Sequence, residues 1–488
     1  MKVNLIDWQN WGRLMFLIGI LVVAPLVILP FYPAEMSDAG FFVWPALASF
    51  ALGFFFSRKK NNAQQAIARI AARQQSSITV LFAWGWGVLL GAMPFILSGK
   101  LSFLQGIFEA TSGWTTTGLS VLDVTKVNHL FLFHRSFMQF CGGMGFITMM
   151  LMLVSGRQAM DLFNAEGHPD KLMPNLKKTT RTVLFMFSAL LGLGTLAYML
   201  VGMNVFESVC HTMCALSTGG FSTRLNSIGE YHSFAINIIT IVLMLIGTTN
   251  FAVLLLLGQR KWHRALQVSE VKFMFLVLVV VIPLTSISLW QSMSMSLSEG
   301  LQHASFDIIS ALSTTGYASM DYSHWPPFAL SMMILVMLIG GGIGSTAGGL
   351  KLTRVYLILR LLFITIRSKL ISTRRVETPT YESPQGKTVI DAALFFDTVG
   401  FCVCYLLLFG FGSALLTIAA DCNLTQAMFE FSSALGTAGL SIGLTGPATK
   451  ASVLIIEIVG MILGRLEIFI VLVGIDAVYK KIKAVKAA

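Results

Sequence analysis

Four glycines occupy equivalent places in four short motifs: Gly118 in TTTGLS (115–120), Gly220 in STGGFS (217–222), Gly316 in STTGYA (313–318) and Gly439 in GTAGLS (436–441). Aligning ALSTGGF (215–221), ALSTTGY (311–317) and ALGTAGL (434–440) fixes the register. Glycine reaches backbone angles that L-residues avoid, so one glycine per turn lets main-chain carbonyls line a narrow path. Rings of such carbonyls replace the hydration shell of an ion such as potassium. A single TTG carries no information, because small residues also serve helix packing in membranes. Four in register describe one pore, and each glycine brings the residue before it: Thr117, Gly219, Thr315 and Ala438.

The surrounding chain must hold these turns inside a membrane. It has 488 residues, of which 55% are apolar and only 12% charged, with a mean hydropathy of +0.76. Many runs reach the roughly 20 residues needed to cross a hydrocarbon core. Ten full spans are expected, near 14–32, 41–57, 78–98, 132–155, 181–202, 234–257, 271–290, 328–349, 391–419 and 451–475. Four segments near 102–115, 206–217, 300–313 and 424–436 are too short to cross. They must enter and return on one side, which is tolerated only where protein or a water-filled cavity satisfies the backbone. The first span, roughly 16–33, reads as a retained helix rather than a removable signal peptide.

The predicted fold is therefore an all-α polytopic membrane protein, two N-terminal helices plus four helix–pore–helix repeats around one pseudo-fourfold pore. Residues 1–77 hold the N-terminal pair and a cytoplasmic loop, and 78–180 and 181–270 the first two repeats. Residues 271–390 hold the third repeat with an intramembrane loop and a cytoplasmic loop, and 391–488 the fourth repeat with a basic tail.

Charge sets the orientation. Of the 34 lysines and arginines, 28 lie in the tails or in loops near 58–77, 157–181, 260–272 and 351–387. The exceptions are Lys100, Lys126, Arg135, Arg224, Lys450 and Arg465. The positive-inside rule places both termini and those loops in the cytoplasm and the four re-entrant segments on the opposite face. The net charge of +11 then follows from topology and anionic lipid, with no call for nucleic acid.

A short helix dipping in from outside aims the negative end of its dipole at the membrane centre, and four together favour a cation there. Glu109, Asp307 and Glu430 each lie nine residues before their glycine, where the second repeat has His211; that is inside the pore helix, a place for bracing rather than ion contact. Asp123 and Asp321 lie five residues after theirs, at the outer mouth, where carboxylates concentrate cations; solvated loop charges are the plainer alternative. The six cysteines lack paired spacing and read as small apolar residues. No metal-ligand spacing and no nucleophile–histidine–acid set is present, so the reading is a non-enzyme without a cofactor, its only metal being potassium at the filter.

Two further features stand out. GGGIGSTAGGLK (340–351) falls where the eighth span should be continuous. Each glycine costs a helix about 1 kcal/mol against alanine, so the span should break near the membrane centre. GIGSTA also fits a dinucleotide pattern, but no strand precedes it. Arg465 is the only basic residue deep in an otherwise apolar span, at a cost of about 2.5 kcal/mol or more. It needs a water-filled cavity or a partner such as Glu467, Glu457 or a pore-helix carboxylate.

With its four turns, GGGIGSTAGGLK and GRLEIF (464–469), nearly the whole chain resembles the Trk/Ktr/HKT superfamily of potassium transporters, the TrkH-like branch in particular. The resemblance implies that Gly118, Gly220, Gly316 and Gly439 form the selectivity filter, and that glycine rather than serine at 118 favours potassium over sodium. It implies an intramembrane gate comprising Gly340, Gly341, Gly342, Gly344, Ser345, Thr346, Gly348, Gly349, Lys351 and Arg465. It also implies a homodimer in the bacterial inner membrane, with a cytoplasmic nucleotide-binding ring of the TrkA type docked on loops that include 373–387. Potassium uptake through a gated, channel-like pore is the first expectation. Symport with protons or sodium, and a non-conducting membrane sensor, are the alternatives.

Overall fold

The computed structural model describes residues 8–59, 69–144, 176–370 and 379–486. Helices α1 (Trp8–Val23) and α2 (Gly40–Ser57) pair closely at small residues. A Cβ on Gly12 would run into the backbone of Gly53 and Ser57, and Ser49 donates to the Met15 carbonyl at 2.7 Å.

Four repeats follow. The first is α3 (Arg69–Leu97), α4 (Phe103–Trp114) and α5 (His129–Gly143). The second is α6 (Leu176–Leu200), α7 (Val205–Leu216) and α8 (Phe234–Thr248), continued by α9 (Phe251–Gly258) and a short connecting α10 (Trp262–Gln267). The third is α11 (Ser269–Ser292), α12 (Leu297–Leu312) and α13 (Pro327–Ile339), then a non-helical loop and α14 (Leu352–Leu370). A two-stranded hairpin, β1 (Thr380–Ser383) with β2 (Gly386–Val389), adds the one departure from an all-α chain among the described residues. The fourth repeat is α15 (Ala392–Ala420), α16 (Leu424–Gly436), α17 (Ala451–Arg465) and α18 (Ile468–Lys486).

Among the described residues six helices are long and apolar enough to span a bilayer, and two bent pairs would raise that to eight. Of the ten expected spans, the eighth of which should break near the membrane centre, two more are bent among the described residues. The segment 234–257 bends by 111° between α8 and α9, and 451–475 bends by 107° between α17 and α18. The segment 328–349 keeps helix only to Ile339. The segment 132–155 is helical to Gly143, and from 145 onward it lies outside the described residues, as do 60–68 of the loop at 58–77 and 157–175 of the loop at 157–181.

Polarity is inverted relative to a protein folded in water. Large apolar side chains such as Phe31, Phe55, Leu200 and Val279 are exposed on the outside. Thr115, Thr116, Thr117, Ser217, Thr218, Ser313, Thr314, Thr315 and Thr437 of the four turns are buried at the centre. Lipid rewards apolar exteriors and demands that interior backbone be satisfied by protein.

The pore helices start alike. Ser102, Ser296 and Asn423 form capping boxes with Gln105, Glu299 and Gln426, and Asn204 caps α7 by accepting from the Glu207 amide. The cap precedes the glycine by sixteen residues in three repeats and by twenty in the third, so α12 is longer by about one turn.

Candidate functional site: a ring of four re-entrant turns

The four turns share one backbone course. Thr116, Thr218, Thr314 and Thr437 have φ of 54°, 51°, 53° and 51°, and Gly118, Gly220, Gly316 and Gly439 have φ of 99°, 72°, 86° and 79°. The residue between each pair, Thr117, Gly219, Thr315 or Ala438, is not left-handed. Alternation of this kind turns successive carbonyls toward the same side. A β-branched residue at positive φ is rare and costs about 1–3 kcal/mol, so surrounding structure must enforce it four times over.

The ring closes repeat by repeat. A Cβ added to Gly118 would collide with the carbonyl oxygen of Gly219, one on Gly220 with that of Thr315, one on Gly316 with that of Ala438, and one on Gly439 with that of Thr117. Each glycine is thus needed twice, for its φ and for the close approach of the neighbouring repeat's backbone. The eight expected filter residues are brought together. The threonines two positions earlier were missed, although the same register displays them.

Each turn is braced by its own pore helix. Glu109 accepts from Ser120 Oγ at 3.0 Å and the Val121 amide at 3.0 Å, and pairs with Arg135 Nε at 2.7 Å where both are buried. Asp307 accepts from the Ser319 amide at 3.0 Å, Ser319 Oγ at 2.6 Å and Tyr322 Oη at 2.9 Å. Glu430 accepts from Ser441 Oγ at 2.7 Å and the Ile442 amide at 3.0 Å. His211 takes the same place in the second repeat, with Nε2 at 2.9 Å from Ser222 Oγ. Gln139 of α5 adds a brace that its sequence context does not signal: it donates to the Gly219 carbonyl at 2.5 Å and accepts from the Phe221 amide at 3.0 Å.

All four glycines open on one side into a vestibule of about 920 Å³ that Asp123 and Asp321 also line. Bonds from Lys126 and Thr125 hold the Asp123 carboxyl down to about 2, and bonds from Ser323 lower that of Asp321. Both are therefore anionic at neutral pH. Arg224, in the same wall, is met by Glu207 at 2.7 Å and Glu230 at 3.4 Å.

The glycine-rich loop between α13 and α14 lies directly against the opposite side of the ring. The Gly348 amide donates to Thr314 Oγ1 at 2.8 Å, and its Cα leaves no room for a Cβ beside Thr437 Oγ1 and the Gly436 carbonyl. Thr346 Oγ1 donates to the carbonyl of Leu216 or Gly247, at 3.0 and 2.8 Å, and receives Thr218 Oγ1 at 3.2 Å. The loop amides are satisfied from elsewhere: Gly342 by the Thr248 carbonyl at 3.0 Å and Ile343 by Glu270 at 2.6 Å. The break at Thr249 that bends α8 from α9 exposes the acceptors that hold the loop.

Arg465, at the end of α17, donates to the Thr346 carbonyl and to the Gly142 carbonyl of α5, each at 2.7 Å. Of the carboxylates expected as its partners, Glu467 is engaged in a two-contact pair with Arg354, at 2.8 and 3.0 Å. Glu457 faces Thr445. Lys351 donates to the Ala347 carbonyl. Beyond the loop, Ser345, Gly348, Gly349, Lys351 and Arg465 border a cavity of only about 30 Å³, room for about one water.

Four re-entrant turns closed into a ring, each on a half-length helix within an apolar bundle, define a polytopic membrane protein with a pseudo-fourfold axis. The chain belongs to the TrkH family of cation transport proteins, whose family model matches residues 47–480. It is 30% identical over 427 residues to the Trk system potassium uptake protein TrkH of Vibrio parahaemolyticus, covering 83% of this chain and 85% of that one. Its identity to TrkH of Halomonas elongata is 29% over 478 residues, 95% of this chain and 96% of the other. TrkG of Escherichia coli matches at 29% over 484 residues. In fold it superposes on the crystal structure of the potassium transporter TrkH from Vibrio parahaemolyticus with a TM-score of 0.82, at 24% identity over 96% of this chain and 97% of that one.

Proposed function

We propose that this chain passes potassium ions across a bacterial inner membrane through a filter formed by Thr117–Gly118, Gly219–Gly220, Thr315–Gly316 and Ala438–Gly439. The observation that carries the reading is the closed order of contacts, in which each filter glycine abuts the carbonyl that precedes the next repeat's glycine. Carbonyls arranged around an axis replace ion hydration at little cost, because the backbone is already held. Thr116 and Thr437 hydroxyls, without hydrogen-bond partners among the described residues, add oxygen ligands on the loop side. Similarity to relatives named as potassium uptake proteins supports potassium as the cargo.

Residues 340–349 act as the gate, with Lys351 and Arg465 placing positive charge beside it. Ions enter from the vestibule, where Asp123 and Asp321 raise their local concentration. An inside-negative potential contributes about 2.3 kcal/mol per charge per 100 mV, enough to drive accumulation without a nucleotide site on this chain. The gate opens when the loop leaves Thr314 and Arg465. A homodimer, regulated by a cytoplasmic nucleotide-binding ring of the TrkA type on the cytoplasmic loops, completes the reading; the naming of the relatives as parts of a Trk system supports association with further components of such a system.

Rubidium uptake into liposomes driven by a potassium gradient tests it, with the protein alone and sodium as competitor. Selective uptake is expected. Absence of flux from folded protein, with and without added ring subunit, would favour the sensor alternative.

A further inference from the structure

Behind the fourth turn two buried carboxylates face each other across a single hydroxyl. Thr445 Oγ1 lies 2.5 Å from Glu430 Oε1 and 2.9 Å from Glu457 Oε1. Both glutamates are fully buried, and neither has a lysine or arginine at ion-pair distance among the described residues.

Counting hydrogens assigns the charge. Glu430 has donors of its own: Ser441 Oγ at 2.7 Å and the amides of Ile442 and Thr445 at 3.0 and 3.1 Å. It suits an anion. Glu457 has only Thr445, and its Oε2 has no partner among the described residues. The Thr445 hydroxyl owns one hydrogen and cannot serve both acceptors. Were Glu457 ionised, one carboxylate contact would be a bare oxygen–oxygen repulsion and a buried charge would stand unpaired, which proteins avoid by keeping the group neutral. A hydrogen on Glu457 resolves both contacts in one direction: the Glu457 O–H donates to Thr445, and the Thr445 O–H donates to Glu430.

The surroundings offer no substitute charge. Helix α4 carries Glu109, already paired with Arg135. Helix α15 carries Asp397, Cys402, Cys404 and Tyr405, followed by Asp421 and Cys422, and α13 carries no charged residue. The basic residues of α17 and its cap, Arg465 and Lys450, stand eight and seven positions away along the helix, about 10–12 Å. Thr445 itself lines the vestibule, beside Gly446 and Pro447, so the chain of hydrogen bonds has an outlet to water.

We propose that Glu457 holds a proton exchanged with the vestibule through Thr445, and that this proton keeps the turn at Gly439 in place so that cation flow depends on vestibule-side pH. The second half rests on the filter reading above. Loss of the proton would set two anions around one hydroxyl, release Thr445 and loosen the bonds that Glu430 makes to Ser441 and Ile442.

Infrared titration of the purified protein in lipid, in H₂O and D₂O, reads the proton directly through the C=O stretch of a protonated carboxyl. The band should be present at neutral pH, shift in D₂O and disappear in Glu457→Gln. Flux through the wild type should fall several-fold as vestibule-side pH is raised between about 5 and about 10, a range bracketing carboxyl groups in water and in apolar surroundings. Glu457→Gln, whose amide donates to Thr445 as the acid does, should flatten that profile. Thr445→Val, which removes the relay and leaves both carboxyls, should lower flux at every pH. A wild-type spectrum without the band, which needs no variant to fold, overturns the proton while leaving the filter reading standing. An intact band with no change of ion selectivity in Gly118→Ser overturns the filter reading and with it the coupling. A Glu457→Gln profile that follows the wild type overturns the coupling alone.

Discussion

The amide of Gly348 donates to the hydroxyl of Thr314 across 2.8 Å, joining the glycine-rich loop to a left-handed residue of the ring itself. Ring and loop are therefore in direct contact. Whatever lifts the loop also frees the side chains of Thr218 and Thr314.

Arg465 holds that loop from the side by two charge-assisted bonds, to Thr346 and Gly142. Such bonds contribute about 1.5–3 kcal/mol. Arg465→Ala should raise unstimulated rubidium flux roughly tenfold, about 1.4 kcal/mol of the closed-state preference. Deleting residues from 341–347 should raise it as well. Folded variants with wild-type or lower flux would remove the loop from the gating role.

Gly118 has φ of 99° and abuts the Gly219 carbonyl. A serine Cβ there must push two repeats apart and widen the ring. Gly118→Ser should reduce the potassium-to-sodium permeability ratio roughly tenfold, about 1.4 kcal/mol of discrimination. Bi-ionic reversal potentials measure it, and an unchanged ratio would exclude Gly118 from the filter.

The Glu109–Arg135 pair, 2.7 Å apart with side chains 0% and 3% exposed, braces the first turn from within. Glu109→Gln leaves the guanidinium without its counter-charge and should destabilise the protein by roughly 3–5 kcal/mol. Thermal unfolding in detergent would show a large drop, partly recovered when Arg135→Gln is added. Additive losses in the double variant would mean that the two groups act separately.

At the vestibule, Asp123→Asn combined with Asp321→Asn should slow uptake a few-fold at low ionic strength. The effect should fade near 0.15 M salt, where the screening length is about 8 Å. The pH dependence follows from the sign of the shift: a carboxyl held below its ordinary value stays charged until pH falls through the lowered value, about 2 for Asp123. Acidification from about pH 7 to about pH 5, still above an ordinary aspartate, should leave this contribution intact. A double variant with wild-type uptake at low salt would make the two aspartates ordinary loop charges.

What the chain's order of residues determined was whatever lipid enforces locally. Hydrocarbon forbids unsatisfied backbone, so segment length alone separated crossing helices from half-helices. The repeated glycine register placed four turns, and the pore-helix acids nine residues before three of the glycines were legible as braces. The threonines at 116, 218, 314 and 437 were equally visible, yet nothing in their type marks a left-handed backbone, which threonine avoids unless packing compels it.

Tertiary structure decided the rest. Which carbonyl meets which glycine depends on the cyclic order of the repeats, and repeat motifs do not encode their neighbours. Gln139 braces the second turn from a helix of the first repeat. Arg465 reaches Thr346 and Gly142, 119 and 323 residues away. The bends at Thr249 and Glu467 interrupt segments whose hydropathy reads as continuous, because hydropathy records burial in lipid but not the acceptors that packed neighbours supply to a broken helix.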